Sequence, residues 1–201
     1  MSIKLVIFDL GGPLVKVNRQ PFFRQLAHDT KTSVTQLETM LNDPQLIEPF
    51  ELGHIGPKQF FDDLNAKLGL SWAFERFVTA WNEMLSENTE TTWVLERLQT
   101  HYTVMVLSNI DVLHDEHVRQ SWPVFAHVHH WITSYQVGLR KPEPELYQLA
   151  LDTAQTPPEA ALFVDDIEEH ILAARRLGLH GLHFQDGMRL EEDLRAAGLH
   201  F

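Results

Sequence analysis

Five short apolar runs without alternation constrain the fold of this chain more than any other feature. They span approximately residues 3–8, 103–107, 130–133, 161–164 and 181–184. Apolar residues at consecutive positions indicate strands buried on both faces, as in a parallel sheet. Helical patterns at 90–99 and 144–153 separate the later runs. The sequence therefore predicts right-handed crossovers and an α/β fold with a Rossmann-like parallel sheet.

The segment between the first and second runs has a different pattern. It contains amphipathic stretches at 33–41 and 57–68 and no obvious buried strand. We therefore predict a small inserted helical cap over residues 17–88, with the core formed by residues 1–16 and 89–201. Because the insertion follows the first strand directly, it could cover the carboxyl edge of the sheet as a lid.

Capping signals support some of these boundaries. Ser33 with Gln36 fits a capping box, in which each residue's side chain bonds the other's backbone N–H. Thr156 with Glu159 fits the same pattern and predicts a second helix start.

Composition limits the possible partners. The 201 residues suffice for one α/β domain with a small lobe, and the formal charge of −12 disfavours nucleic acid or an anionic membrane as partner. The chain has no cysteine, no signal-peptide pattern and no apolar stretch approaching the roughly 20 residues of a spanning helix. We expect a cytoplasmic protein, either a monomer or a homodimer.

Polar residues follow several of the apolar runs. They are Asp9 and Gly11, Ser108 and Asn109, Lys141, and Asp165 with Asp166. Open α/β sheets bind ligands beyond the carboxyl ends of their strands, so these residues are expected to meet in one place. That combination of nucleophile, donors, fixed cation and carboxylates is what phosphoryl transfer requires.

Each requirement of phosphoryl transfer has a candidate. Asp9 is the predicted nucleophile, which would form an aspartyl-phosphate. Ser108, Asn109 and the backbone at Gly11 would bind the phosphoryl oxygens, and Lys141 would neutralise the charge shared by Asp9 and the phosphoryl group. In an acidic chain, this lysine would be the local positive centre that an anionic substrate needs.

The predicted metal site uses the same edge of the sheet. Asp166 and Asp165, together with Asp9 and the backbone carbonyl of Gly11, would hold Mg²⁺. An all-oxygen ligand set favours Mg²⁺ over zinc.

These residues carry a family resemblance. Phe8–Leu14, Leu107–Asn109, Gly138–Pro142 and Phe163–Ile167 resemble the four ordered motifs of the haloacid dehalogenase superfamily, and the helical stretch resembles its small cap. The resemblance covers roughly residues 3–185 and is greatest to the branch that includes bacterial α-D-glucose-1-phosphate phosphatases. It implies a Mg²⁺-dependent phosphatase acting on a small phosphorylated metabolite, with a sugar phosphate as one candidate.

Gly11 departs from the usual pattern. Most phosphatases of the superfamily carry a second aspartate two residues after the nucleophile as general acid and base, a role typically worth about 10²–10⁴-fold. The resembling branch shares the glycine, and a sugar 1-phosphate has a more acidic leaving oxygen that would soften the loss. Glu48, Glu51 and His54 of the cap are possible substitutes.

Two other functions remain open. A 2-haloacid dehalogenase would use the same nucleophile without a metal, but the Asp165–Asp166 pair argues against it. A non-catalytic phosphate-binding or regulatory protein is supported only by Gly11.

Other polar residues have simpler interpretations. His114 and His117 are spaced to share a helix face, but the 12 histidines are better explained as scattered surface residues than as metal ligands. Arg140 is interpreted as a solvated loop residue. Trp72, Phe74, Phe77 and Trp81 are interpreted as the core of the cap.

Overall fold

The computed structural model describes residues 2–201. Its strands are β1 (Leu5–Phe8), β2 (Val15–Val17), β3 (Leu85–Glu87), β4 (Thr103–Ser108), β5 (His130–Thr133), β6 (Ala161–Asp165) and β7 (His180–His183). Its α-helices are α1 (Gln20–Thr30), α2 (Val34–Leu41), α3 (Pro44–Glu51), α4 (Pro57–Leu68), α5 (Phe74–Asn82), α6 (Trp93–Leu98), α7 (Val112–Ser121), α8 (Ser134–Val137), α9 (Pro144–Thr153), α10 (Glu168–Arg176) and α11 (Leu190–Ala196).

The main sheet has five parallel strands in the order β5-β4-β1-β6-β7. All five correspond to the apolar runs, so the predicted α/β fold with a parallel sheet is confirmed. β1, β4 and β6 are buried almost throughout, which explains why their sequences do not alternate. With β1 between β4 and β6, the residues that follow these three strands lie side by side at one edge.

Helices cover both faces of the sheet. On one face, α6, α7 and α11 contribute buried residues to a cluster with Val6 and Val104. On the other face, α9 and α10 pack against Leu5, Ile7 and Phe163. The three-layer arrangement leaves the carboxyl edge of the sheet open to the insertion.

The insertion contains α1 to α5 around its own aromatic core. The ring centroids of Phe22 and Trp81 are 5.3 Å apart, and Phe60 lies equally close to Trp81. Phe77 and Trp72 are buried in the same cluster, as predicted. At its base, β2 pairs antiparallel with β3. The sequence pattern did not predict this two-stranded ribbon, because each strand has only three residues.

Direct contacts seat the insertion on the core. α5 packs against α7, and α3 packs against α8. The Ser134 hydroxyl donates a hydrogen bond of 2.6 Å to the backbone carbonyl of Glu51. Gly53 has a φ of +71°, and a side chain there would collide with the backbone carbonyl of Tyr135. The C-terminal end of α3 is thereby held against the core.

The two predicted capping boxes have different outcomes. Ser33 and Gln36 form the reciprocal bonds at the start of α2, so that prediction is confirmed. The box at Thr156 is wrong, because Pro158–Ala160 forms only a 3₁₀ turn without a side-chain cap. Pro157 is extended, as expected for a residue before proline, and β6 begins at Ala161, leaving no room for a helix.

Within residues 2–201, no helix combines the length and the apolar character that crossing a membrane requires.

Candidate active site

Asp9 directly follows β1 at the carboxyl edge of the sheet. Its backbone N–H donates to Val164 O at 2.8 Å, which ties it to the end of β6. Its Oδ1 accepts a hydrogen bond of 2.6 Å from the backbone N–H of Leu10. Only 8% of the residue is exposed, so the carboxylate is held in one orientation in a largely dry environment.

Lys141 joins two carboxylates at this edge. Its Nζ lies 2.9 Å from Asp9 Oδ1 and 2.7 Å from Asp165 Oδ2, and its side chain is fully buried. The Asn109 side chain fixes the backbone of Lys141, accepting from its N–H at 2.8 Å and donating to its carbonyl at 2.9 Å. Because the Asn109 side chain is engaged in this way, its backbone N–H is the group left for an oxyanion. Ser108 is buried beside it at the end of β4.

Asp165 has two partners besides Lys141, and the sequence analysis missed both. His170 Nδ1 lies 3.0 Å from Asp165 Oδ2, and the backbone N–H of Ile167 donates to Oδ1 at 2.8 Å. The sequence offers a weak signal, since His170 shares the buried face of α10 with Ile171 and Ala174. A histidine in an apolar helical stripe directly after an acidic pair needs a polar partner, and Asp165 is the nearest one.

Asp166 lies against the turn that follows β1. Gly12 has a φ of +82°, and a Cβ built there would be 2.6 Å from Asp166 Cγ. Only glycine satisfies both conditions, because other residues rarely adopt that backbone and would displace the carboxylate. Asp166 is thus held beside the Gly11–Gly12 backbone, within the same group of loops as Asp9.

The electrostatics of the carboxylates favour a bound cation. Burial raises the pKa of Asp9, Lys141 opposes the shift, and the charge of Asp165 adds to it. Burial and the adjacent Asp165 raise the pKa of Asp166. The pKa of Asp165 is held below its usual value, although burial opposes this, because His170 and Lys141 bond to it. Burial therefore disfavours the charged forms of Asp9 and Asp166, and a cation beside their oxygen atoms would offset that cost.

A second set of possible ligand atoms has a different explanation. Among residues 2–201, Asp9, Asp165 and His170 bring three potential ligand atoms within 4.8 Å of one another. The Lys141 ammonium already contacts both carboxylates of that set. The closeness of this set is therefore explained by the lysine that it holds, and the metal site between Asp9 and Asp166 stays a prediction.

The space beside Gly11 is occupied by an apolar side chain. A Cβ built on Gly11 would meet Val17 Cγ2 at 3.7 Å, an ordinary van der Waals distance. Of the three possible acid–base substitutes, Glu51 lines a cavity together with Gly11 and Ser108. His54 is exposed. Burial raises the pKa of Glu51 to about 7, with Arg140 opposing the shift.

Two interpretations of the sequence need correction. Arg140 is not a solvated loop residue, because its guanidinium pairs with Glu48 and lies 3.7 Å from Glu51. His114 is not a surface residue, since only 12% of its side chain is exposed. It lies 2.9 Å from Asp111, and the stacked ring of Trp81 lies over it.

Comparisons with known proteins agree with this geometry. The family model of haloacid dehalogenase-like hydrolases matches residues 3–178. A sesquiterpene phosphatase of Aspergillus oryzae is 30% identical, covering 96% of each chain. A D-ribitol-5-phosphate phosphatase of Bacteroides thetaiotaomicron is 24% identical over 96% of this chain and 97% of its own.

Solved structures share the fold. A haloacid dehalogenase family enzyme of Bacteroides thetaiotaomicron, in complex with magnesium and inorganic phosphate, superposes with a TM-score of 0.83 at 24% identity, covering 94% of this chain and 99% of that one. An L-2-haloacid dehalogenase superposes with a TM-score of 0.62 at 20% identity, covering 90% and 83%. The assignment to the glucose-1-phosphate phosphatase branch stays a prediction. The match over most of the chain and the four motifs at one sheet edge together establish that the chain belongs to the haloacid dehalogenase-like hydrolases.

Proposed function

We propose that this hydrolase is a Mg²⁺-dependent phosphatase that acts on a small phosphorylated metabolite through an aspartyl-phosphate on Asp9. The observation that carries the proposal is the contact of buried Lys141 with Asp9 at the carboxyl edge, beside Ser108. A carboxylate nucleophile next to a fixed ammonium suits attack on a phosphate ester. The names of the two similar phosphatases support the same reaction class.

The first half-reaction follows from the positions of four groups. An Asp9 oxygen attacks phosphorus while the ester P–O bond breaks and the leaving oxygen takes a proton from the Glu51 carboxyl group. Lys141 stabilises the charge shared by Asp9 and the phosphoryl oxygens, and the Ser108 hydroxyl with the Asn109 backbone N–H donates to those oxygens. Asp165 with His170 keeps Lys141 in place. Water then gives a proton to the ionised Glu51 and attacks phosphorus, and the bond between the Asp9 oxygen and phosphorus breaks, which releases phosphate and restores Asp9.

Asp9, Asp166 and the backbone carbonyl of Gly11 would hold Mg²⁺, with Asp165 adjacent. When bound, the ion would supply positive charge opposite Lys141 and relieve the repulsion between the carboxylates. The raised pKa values of Asp9 and Asp166 support this assignment.

Glu51 is our candidate for the acid–base group that Gly11 does not provide. It lines the cavity above Gly11, and the carbonyl of the same residue is fixed by Ser134. A carboxyl group with a pKa of about 7 is partly protonated at neutral pH, which is the state that a general acid needs.

The experiment measures hydrolysis of acetyl phosphate and p-nitrophenyl phosphate with Mg²⁺, with EDTA, and in an Asp9→Asn variant. We expect phosphate release that requires Mg²⁺, and a loss of about 10³-fold or more in the variant, as for removal of a nucleophile. Activity that survives EDTA, or chloride release from a 2-haloacid, would favour the dehalogenase alternative. Equal, near-background rates in both proteins would favour the non-catalytic alternative.

The relatives do not identify the alcohol. One is named for a sesquiterpene and the other for ribitol 5-phosphate, two alcohols of opposite polarity. A sugar phosphate therefore remains one possible substrate.

A further inference from the structure

A cavity between the insertion and the core extends the active site. It has a volume of about 120 Å³. At one end its wall includes Gly11, Ser108 and Asn109, and at the other it reaches α1, α2 and α3 of the insertion. An alcohol group attached to a phosphate at Ser108 would therefore point into this space.

Most of the cavity wall is apolar. Aliphatic and aromatic side chains predominate, including Phe22, Phe23, Leu41, Ile47 and Met84. The apolar character continues to the reacting end, where Val17 lies 3.7 Å from the Cβ position of Gly11.

Four ionisable side chains line the wall, and each has a partner: they are Arg19, Glu51, Asp111 and His114. Arg19 donates a hydrogen bond of 2.8 Å to Asn42 Oδ1, and Glu51 lies 3.7 Å from Arg140. Asp111 accepts from the backbone N–H groups of Leu113 and His114 and from Trp81 Nε1. His114 contacts Asp111 with one ring nitrogen and the Trp81 carbonyl with the other. These partners leave the pair little capacity for substrate hydroxyls. Hydroxyl groups that enter such a space lose their water partners at a cost of about 1–3 kcal/mol each.

The size of the cavity sets a limit on the group it holds. An apolar cavity of about 150 Å³ holds a benzene ring, so about 120 Å³ suits roughly five carbons, the size of one isoprene unit. Beyond it, Val17, Arg19 and Phe23 also line a shallower surface recess with Glu38 and Asn42. Further carbons would lie there, partly in water.

We infer that the substrate is a phosphate monoester of an apolar alcohol, and that the first five or so carbons of this alcohol occupy the cavity. The inference rests on the proposed function, because it deepens the substrate class of the same site. Of the two substrate types named for the relatives, the apolar wall favours the terpenoid alcohol and disfavours the polyol. Sugar phosphates are disfavoured for the same reason.

The first test measures binding of non-hydrolysable n-alkylphosphonates to the wild-type protein with Mg²⁺ by calorimetry. From methyl to pentyl we expect affinity to rise about fourfold per methylene, the factor for burying one CH₂ group. From hexyl onward the increase should fall to about twofold or less per methylene. The polar comparator 4,5-dihydroxypentylphosphonate should bind about tenfold or more weakly than pentylphosphonate. Equal or tighter binding of this diol, or no dependence on chain length, overturns the inference.

Substitutions in the cavity wall test whether the alkyl chain of the phosphonate binds there. Ile47→Trp fills the cavity, and Val17→Trp narrows it from a strand position that is 49% exposed, where misfolding is not expected. Both should weaken pentylphosphonate by about tenfold or more, and Ile47→Trp, which lies on α3, should change methylphosphonate binding by about twofold or less. Met188→Trp is the control, since that residue is 86% exposed and lies outside the cavity. Unchanged pentylphosphonate binding in both cavity variants overturns the inference.

Acetyl phosphate separates this inference from the proposed function, because it has no chain to place. If the wild-type protein did not hydrolyse acetyl phosphate, the proposed phosphatase reaction would be wrong. Binding of the phosphonate series would still measure the chain-length preference of the cavity. Hydrolysis of acetyl phosphate with a preference for diols over alkyl chains would overturn the inference alone.

Discussion

Glu51→Gln converts a carboxyl group in the cavity wall into an amide of the same shape. Burial is the largest cause that raises its pKa from 4.5 to about 7, with Asp111 and Glu48 adding to the rise and Arg140 and Arg19 opposing it. Since the folded pKa lies above the unfolded one, the stabilisation from the protonated form is complete below about pH 4.5. It is lost as the pH rises through about 7.

The size of the effect follows from that shift. At about 1.4 kcal/mol per pKa unit, ionised Glu51 costs the folded state about 3 kcal/mol at pH 8. The amide cannot ionise, so Glu51→Gln should raise the free energy of unfolding by up to about 3 kcal/mol at pH 8 and change it little near pH 4.5. Urea denaturation at both pH values measures the difference.

Activity should change in the opposite direction. If Glu51 protonates the leaving alcohol, kcat/KM for an alkyl phosphate should fall by about 10²-fold or more in the variant. For p-nitrophenyl phosphate, whose leaving group needs no proton, kcat/KM should change little. The wild-type kcat/KM for the alkyl phosphate should decline above about pH 7, and this decline should be absent in the variant.

Glu48→Gln is the matched control for both measurements. Glu48 pairs with the same Arg140 but does not line the cavity. If Glu51→Gln slows both substrates equally, or if Glu48→Gln reproduces its selective loss, Glu51 is not the general acid. A Glu51→Gln protein no more stable than wild type at pH 8 would contradict the electrostatic argument itself.

Three further predictions concern the loops at the carboxyl edge. Gly11→Asp meets only a valine methyl at 3.7 Å, so it should fold, and in the Glu51→Gln background it should restore about 10²-fold or more of the lost kcat/KM on alkyl phosphates in steady-state assays. Gly12→Ala would displace Asp166, so the Mg²⁺ concentration for half-maximal activity should rise about 10–100-fold. Gly69→Ala is the control, because Gly69 has the same left-handed backbone but no atom near its Cβ position. It should leave the Mg²⁺ concentration for half-maximal activity unchanged. Asp165→Asn removes the charge opposite a buried lysine and should lower the free energy of unfolding by about 3–5 kcal/mol in urea titrations.

The sheet could be predicted from the sequence because its information is local. Each central strand is buried on both faces, so its residues are apolar without interruption, and a polar residue marks its end. Two of the five helices in the insertion, α2 and α4, were predicted for a similar reason, since each has both a start signal and an apolar stripe. The β2–β3 ribbon was missed because Val15–Val17 and Leu85–Glu87 are defined by pairing across about 70 residues of chain, which no local pattern records.

The residues of the candidate site also fall into two groups, those that the sequence could predict and those that it could not. The residues that follow strands could be named because parallel topology brings them together whatever their separation in sequence. The side-chain partners could not be named in this way. His170 contacts Asp165 and Arg140 pairs with Glu48 only in the folded chain. A charged residue can be buried when a partner of opposite charge lies beside it in the fold. Its neighbours in sequence therefore do not predict whether it is buried.

The apolar cavity and the missing aspartate bear on the same chemical problem. An apolar alkyl alcohol is a poorer leaving group than a sugar hemiacetal, so a substrate of that class needs a general acid more strongly, while Gly11 with Val17 above it offers none. Glu51 stands in the same apolar wall, and burial there is the main cause of its raised pKa. The wall that would bind the alkyl chain thus also keeps a carboxyl group partly protonated at neutral pH. Ile47→Trp fills the cavity with apolar atoms rather than with water. It should therefore weaken chain binding, while the pH at which activity on alkyl phosphates declines stays at or above the wild-type value.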